Sequence, residues 1–161
     1  SDHGLAAVDH KRAVEDMVPT ADATVVADGQ SIGIVPRPGR ETAVETRMLG
    51  AHAQYDCWRK SELPARWHYG RNARVPPIVC QMHEGWNAVT DNRRVKPGSH
   101  GFDPALPSMR AVFVARGPSF VPGSQLPPFD NVDVYPMLTR VLGLRADDAD
   151  GDIGPLLPAM R

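Results

Sequence analysis

The chain has 161 residues, 42% of them hydrophobic and 23% charged, which is the balance of one ordinary globular domain rather than of a disordered tail. A formal net charge of −1 argues against a nucleic-acid-binding surface or an anionic membrane surface. No apolar run approaches the ~20 residues of a membrane span, and the 16 prolines and 14 glycines mark a loop-rich domain.

The chain opens on Ser1-Asp2-His3-Gly4, an acid and an imidazole ahead of a glycine. A short helical pattern over 9–18 follows and stops at Pro19. "ATVVADGQSIGIVP" reads as two strands around a turn at Asp28-Gly29. "ETAVETRMLGAH" places Ala43, Val44, Arg47 and Met48 at helical spacing, with Gly50 as the stop. "YDCWRKSE" alternates as a strand, and "IVCQMHEG" after Pro76-Pro77 reads as another. Residues 23–90 are thus predicted to form a small α+β unit, an antiparallel sheet with a helix on one face.

The character then changes. "MRAVFVARG" (109–117) is a continuous apolar run, as in a strand buried on both faces of a parallel sheet. Asn131 is the expected N-cap of a helix with Val134, Leu138, Val141 and Leu142 on one face, ended by Gly143. The tail 145–161 is expected to lie extended on the surface. A buried parallel strand needs parallel neighbours, and this chain offers few.

Cys57 and Cys80 belong to no CxxC pair, and the residues leave two states open: a disulfide in an exported protein, or two buried thiols. They fall on two predicted strands, so a bridge is geometrically possible if those strands are neighbours. Asp2-His3 and "GSHGFD" (98–103) are the stretches that resemble metal loops. Aspartate and neutral imidazole are ordinary zinc ligands. Gly98 and Gly101 let the backbone turn around His100.

Taken in order, "SDHGL", "CWRKSELPARWHYGRNARVPPIVCQMHEGW", "GSHGFDPALPSMRAVFVARGPSF" and "LPPFDNVDVYPMLTRVLGL" resemble the C-terminal part of the catalytic domain of the nucleotide pyrophosphatase/phosphodiesterase family, in the alkaline phosphatase superfamily. The resemblance implies an α/β, alkaline-phosphatase-like sandwich with a small α+β insert. Residues 1–22 would give a metal loop and helix of the main domain, 23–90 the insert, and 91–161 the second metal loop with the C-terminal strand and helix.

It also implies a site with two zinc ions, Asp2 and His3 on one and His100 on the other. The family's nucleophile is a threonine that forms a phospho-threonine intermediate. That threonine and the remaining ligands, two aspartates and a histidine, precede "SDHG" in the family. Thr20, Thr24, Thr42, Thr46, Thr90 and Thr139 match nothing in the nucleophile motif, so no catalytic residue and no base pocket are expected in this chain. The missing N-terminal segment of the domain is its implied partner.

The implied activity is hydrolysis of phosphodiester or pyrophosphate bonds, in nucleotides, with release of a nucleoside 5′-monophosphate. The implied location is periplasmic or extracellular, which favours the disulfide. The rival readings are a superfamily relative acting on phosphonates or lipid headgroups, and a non-catalytic binding module. His10, His52, His68 and His83 match no motif and are expected to be surface or structural. Trp58, Trp67, Tyr69 and Trp86 are expected in packing, and Arg71, Arg74, Arg93 and Arg94 on a solvated face.

Overall fold

The structure, a computed structural model, describes residues 1–90 and 95–161; Arg93 and Arg94 lie outside the described residues. It divides into two units, a sheet unit of His3–Ala111 and a helical unit of Ser1–Asp2 with Val112–Arg161.

In the sheet unit, β1 (Ala6–Ala13) buries Ala6 and Val8 and exposes Ala7 and Asp9, a period of two. It runs into a single helical turn, α1 (Val14–Met17). The helical reading of 9–18 is therefore corrected: only 14–17 are helical. The charged stretch Asp9-His10-Lys11-Arg12 is held as strand by backbone pairing with a later strand rather than by an apolar face.

Then come β2 (Ala23–Ala27) and β3 (Ser31–Pro36), the hairpin expected around Asp28-Gly29. Gly29 takes φ +111° and exchanges backbone hydrogen bonds with Ala88 at 2.8 and 2.9 Å. The helix α2 (Glu41–Met48) puts Val44 and Met48, four residues apart, into the core. Each such buried side chain stabilises the fold by roughly 1.5–3 kcal/mol. Past Leu49 the chain passes into β4 (Gly50–Ala51), with Gly50 at φ +102°.

β5 (Tyr55–Arg59) and β6 (Ile78–Met82) complete an antiparallel sheet in the order β2-β3-β6-β5-β4. Ile32, Ile34, Tyr55, Cys57, Ile78, Cys80 and Met82 form its core beside Val44 and Met48. Cys57 and Cys80 face each other in register on β5 and β6 and are joined as a disulfide. β7 (Gly85–Val89), which the sequence pattern did not reveal, pairs in parallel with β1. β8 (Gly98–Ser99) pairs with β1 antiparallel, giving a second sheet in the order β7-β1-β8.

In the helical unit the strand expected over 109–117 does not form. Val112 and Val114 are 69% and 84% exposed, and among the described residues no strand lies alongside to pair with them. A strand of this kind gains stability only from neighbours. α3 (Val134–Val141) follows a 3-10 turn, Asn131–Asp133. The cap is Asp130 rather than Asn131: Asp130 and Asp133 form a capping box around the turn. Met137 and Thr139 are buried, whereas Leu138, Val141 and Leu142 are exposed, so the expected apolar face is not the covered one. The tail is not extended throughout. Gly154–Ala159 forms a 3-10 helix that buries Leu156, and the buried Asp133 carboxylate accepts from Asp152 N at 2.8 Å.

Candidate metal-binding site

The β1–β8 ladder places the two histidines. Ala6 pairs with Ser99 and Ala7 with Gly98 in antiparallel register, so residues just before Ala6 emerge beside those just after Ser99. His3 and His100 accordingly stack, with ring centroids 3.6 Å apart and 12° between planes.

His3 is fixed by its backbone surroundings. Gly4 N donates to Met109 O at 3.0 Å. A Cβ at Gly4 would overlap Ser108 O and sit 2.8 Å from Arg110 O, so the chain passes where only glycine fits. His3 Nδ1 lies 2.8 Å from Gly4 O. A carbonyl only accepts, so Nδ1 carries the proton and Nε2 is the basic nitrogen. This is the tautomer that suits a metal ligand.

His100 is exposed, but its loop is tied down on both sides. Ser99 Oγ donates to Gln30 Oε1 at 3.0 Å, and Gln81 Nε2 donates to Gly101 O at 2.9 Å. Phe102 is buried in the core. Asp103 pairs with Arg66 and accepts from Ala105 N at 2.9 Å.

Of the three residues singled out from the sequence, the structure thus brings His3 and His100 together. Asp2 belongs to the helical unit, where its carbonyl accepts from Asn131 Nδ2 at 3.4 Å. Among the described residues no group of three or more His, Cys, Asp or Glu side chains gathers as metal ligands would. Two imidazoles supply part of the roughly four ligands that zinc takes, and their chemistry fits that metal.

The other histidines have local roles. His10 stacks on Trp86, its register partner on β7. His52 Nε2 donates to Met48 O at 2.8 Å while its ring stacks on Tyr55, whose phenol is pushed up by burial. His83 faces Asp56 at 3.1 Å, and His68 takes φ +48°. Trp58 and Trp67 meet edge to face, whereas Tyr69 is half exposed and does not pack as expected. Arg71 and Arg74 are exposed.

Sequence reading missed Gln30, Gln81, Asn87 and Ser99, the polar groups behind the His100 loop. One signal was present: Gln81 interrupts the otherwise buried strand Ile78, Val79, Cys80, Met82. A polar side chain at such a position needs partners.

The family model for type I phosphodiesterase/nucleotide pyrophosphatase matches residues 1–103. The chain belongs to that family. Within it, the bis(5′-adenosyl)-triphosphatase of Xenopus laevis is 31% identical over 156 residues, 95% of this chain and 34% of the relative. The human ectonucleotide pyrophosphatase/phosphodiesterase family member 7 is 32% identical over 173 residues, 99% of this chain and 37% of the relative.

Among solved structures, murine ectonucleotide pyrophosphatase/phosphodiesterase 5 superposes with a TM-score of 0.88 at 29% identity, over 100% of this chain and 44% of that one. Its human counterpart gives 0.89 at 26% identity. The family member described here therefore has the alkaline-phosphatase-like α/β fold in its C-terminal portion. It spans about a third of the length of these curated relatives.

Proposed function

We propose that this chain is part of a metal-dependent hydrolase that cleaves phosphodiester or pyrophosphate bonds in nucleotides and releases a nucleoside 5′-monophosphate. The observation that carries the reading is the His3–His100 pair, two imidazoles side by side at a strand end, one with its tautomer set by Gly4 O. Relatives named as bis(5′-adenosyl)-triphosphatases support the bond type. The murine neighbour, solved as an inactive threonine-to-alanine variant with AMP, supports the product class and a threonine nucleophile.

In this proposal His3 and Asp2 hold one zinc ion and His100 a second; for Asp2 the assignment rests on the family resemblance alone. Bound zinc would offset negative charge on the phosphoryl oxygens and on the nucleophile. Gly4 and the Met109 carbonyl keep His3 at the strand end, and the 98–103 loop keeps His100 beside it. The nucleophilic threonine belongs to a segment outside this chain. It attacks phosphorus as the leaving alcohol or nucleotide departs, and water then releases the monophosphate.

The enzyme acts outside the cytoplasm. The buried Cys57–Cys80 disulfide supports that location, because such bonds persist in oxidising compartments. No helix among the described residues is long and apolar enough to cross a membrane.

The test is His100→Ala in the complete protein, with bis(p-nitrophenyl) phosphate turnover and zinc content read together. Loss of a direct ligand is expected to exceed the ~10–100-fold penalty of losing an outer-shell partner. Wild-type turnover and full zinc content in H100A would contradict the proposal. The 161-residue chain by itself is expected to show no hydrolysis.

A further inference from the structure

Behind the His100 loop lie three side-chain amides, none of them a candidate ligand. Gln30 sits in the β2–β3 turn, Gln81 on β6 and Asn87 on β7. Gln81 Nε2 donates to Gly101 O and Gln30 O, both at 2.9 Å, with Met82 O farther off at 3.4 Å. The Gln30 side chain accepts from Ser99 Oγ at 3.0 Å and donates to Asn87 Oδ1. Its backbone carbonyl also accepts from Met82 N at 2.8 Å. Each amide is half-buried, and the Gln81 amide is oriented by backbone carbonyls, which can only accept. The two residues flanking His100 are thus both fastened to the insert sheet, one through its side chain and one through its carbonyl.

We propose that Gln81 and Gln30 are positioning residues: they fix the loop that carries His100 and thereby set its ring against His3. The hairpin turn and β6 serve as the rigid support, and the loop, with Gly101 at φ +90°, takes its shape from them. Gly101 packs directly on Gln30, where an added Cβ would lie 3.7 Å from that residue's own Cβ. The consequence for metal binding rests on the reading of His100 as a ligand. The consequence for ring geometry does not.

The decisive variant is Gln81→Glu. It keeps size and shape but sets carboxylate oxygens against two carbonyl oxygens. Ser99→Ala removes the other tie, and Ser99→Thr keeps a hydroxyl in its place. Two readouts are taken on the full chain. One is the imidazole ring spectrum of the metal-free protein by NMR, where stacked rings shift each other. The other is zinc affinity by titration against a chromophoric chelator, with thermal melting as the control for folding.

Q81E and S99A are expected to lose the mutual His3–His100 ring shift and to bind zinc about 10–100-fold more weakly, while S99T behaves as wild type. Q81E that melts like wild type and keeps both the ring shift and the affinity would overturn the proposal. If Q81E fails to fold, S99A against S99T decides it: equal ring shifts in the two overturn it. If H100A leaves zinc affinity unchanged, the ligand reading fails, and the metal-free ring spectra still judge the positioning role.

Discussion

A methyl group added at Gly4 meets Ser108 O and Arg110 O before it meets any movable side chain. Backbone cannot step aside cheaply, so Gly4→Ala is expected to cost about 1–3 kcal/mol or more. It should also swing His3 away from His100, because the Gly4 amide and carbonyl are what tie that end of the chain to Met109 and to the His3 ring. Urea denaturation gives the first effect, and the ring spectrum of His3 gives the second. A G4A variant with wild-type stability would show that the 108–110 backbone yields more easily than its packing implies.

At the scale of elements, two ties across the antiparallel sheet have separable signatures. The Cys57–Cys80 bond closes a separation of 23 residues between directly paired strands. On the chain-entropy account its removal costs about 3 kcal/mol. C57S/C80S is expected to lower the urea midpoint accordingly, and alkylation without reductant should leave both wild-type cysteines unmodified. Two alkylated cysteines would refute the bond.

Arg59 joins α2 to β5 through Glu45, donating from Nη2 at 2.7 Å and Nε at 3.1 Å. That hydrogen bonding, more than the charge alone, holds the Glu45 carboxyl below its ordinary value of 4.5. A carboxylate lowered in the folded state adds stability above the unfolded value and loses it as pH falls through the folded one. E45Q is therefore expected to be less stable than wild type near neutral pH, with the difference gone in strong acid. An identical pH dependence in the two proteins would refute the coupling.

The same scale shows what could be read in advance. The Asp28-Gly29 hairpin, the α2 helix with Val44 and Met48, and the strands around Cys57 and Cys80 carry local signals and formed as read. β1 was hidden because Asp9 to Arg12 hold strand conformation through a partner 75 or so residues on, which no local pattern encodes. His3 and His100 were legible through the motifs around them. Gln30, Gln81 and Ser99 were not, since their meaning lies in contacts among β2–β3, β6 and the 98–103 loop.

For the molecule as a whole, the helical unit leaves Val112, Val114, Leu142 and Leu144 between 61% and 84% exposed. Exposed apolar surface of this kind favours association. The chain alone is expected to show a mass that rises with concentration in light scattering, and Val114→Glu should reduce it; a strictly monomeric chain would refute this. The family assignment and the alkaline-phosphatase-like fold rest on comparisons that cover residues 1–103 for the family model and the whole chain for the solved structures. The zinc assignment is a proposal that rests on the family resemblance and on the His3–His100 pair. Its most direct test is anomalous scattering at the zinc absorption edge from crystals of the complete protein grown with zinc. The account predicts metal peaks at the imidazole nitrogens of His3 and His100. Zinc bound far from Asp2, His3 and His100 alike would contradict it.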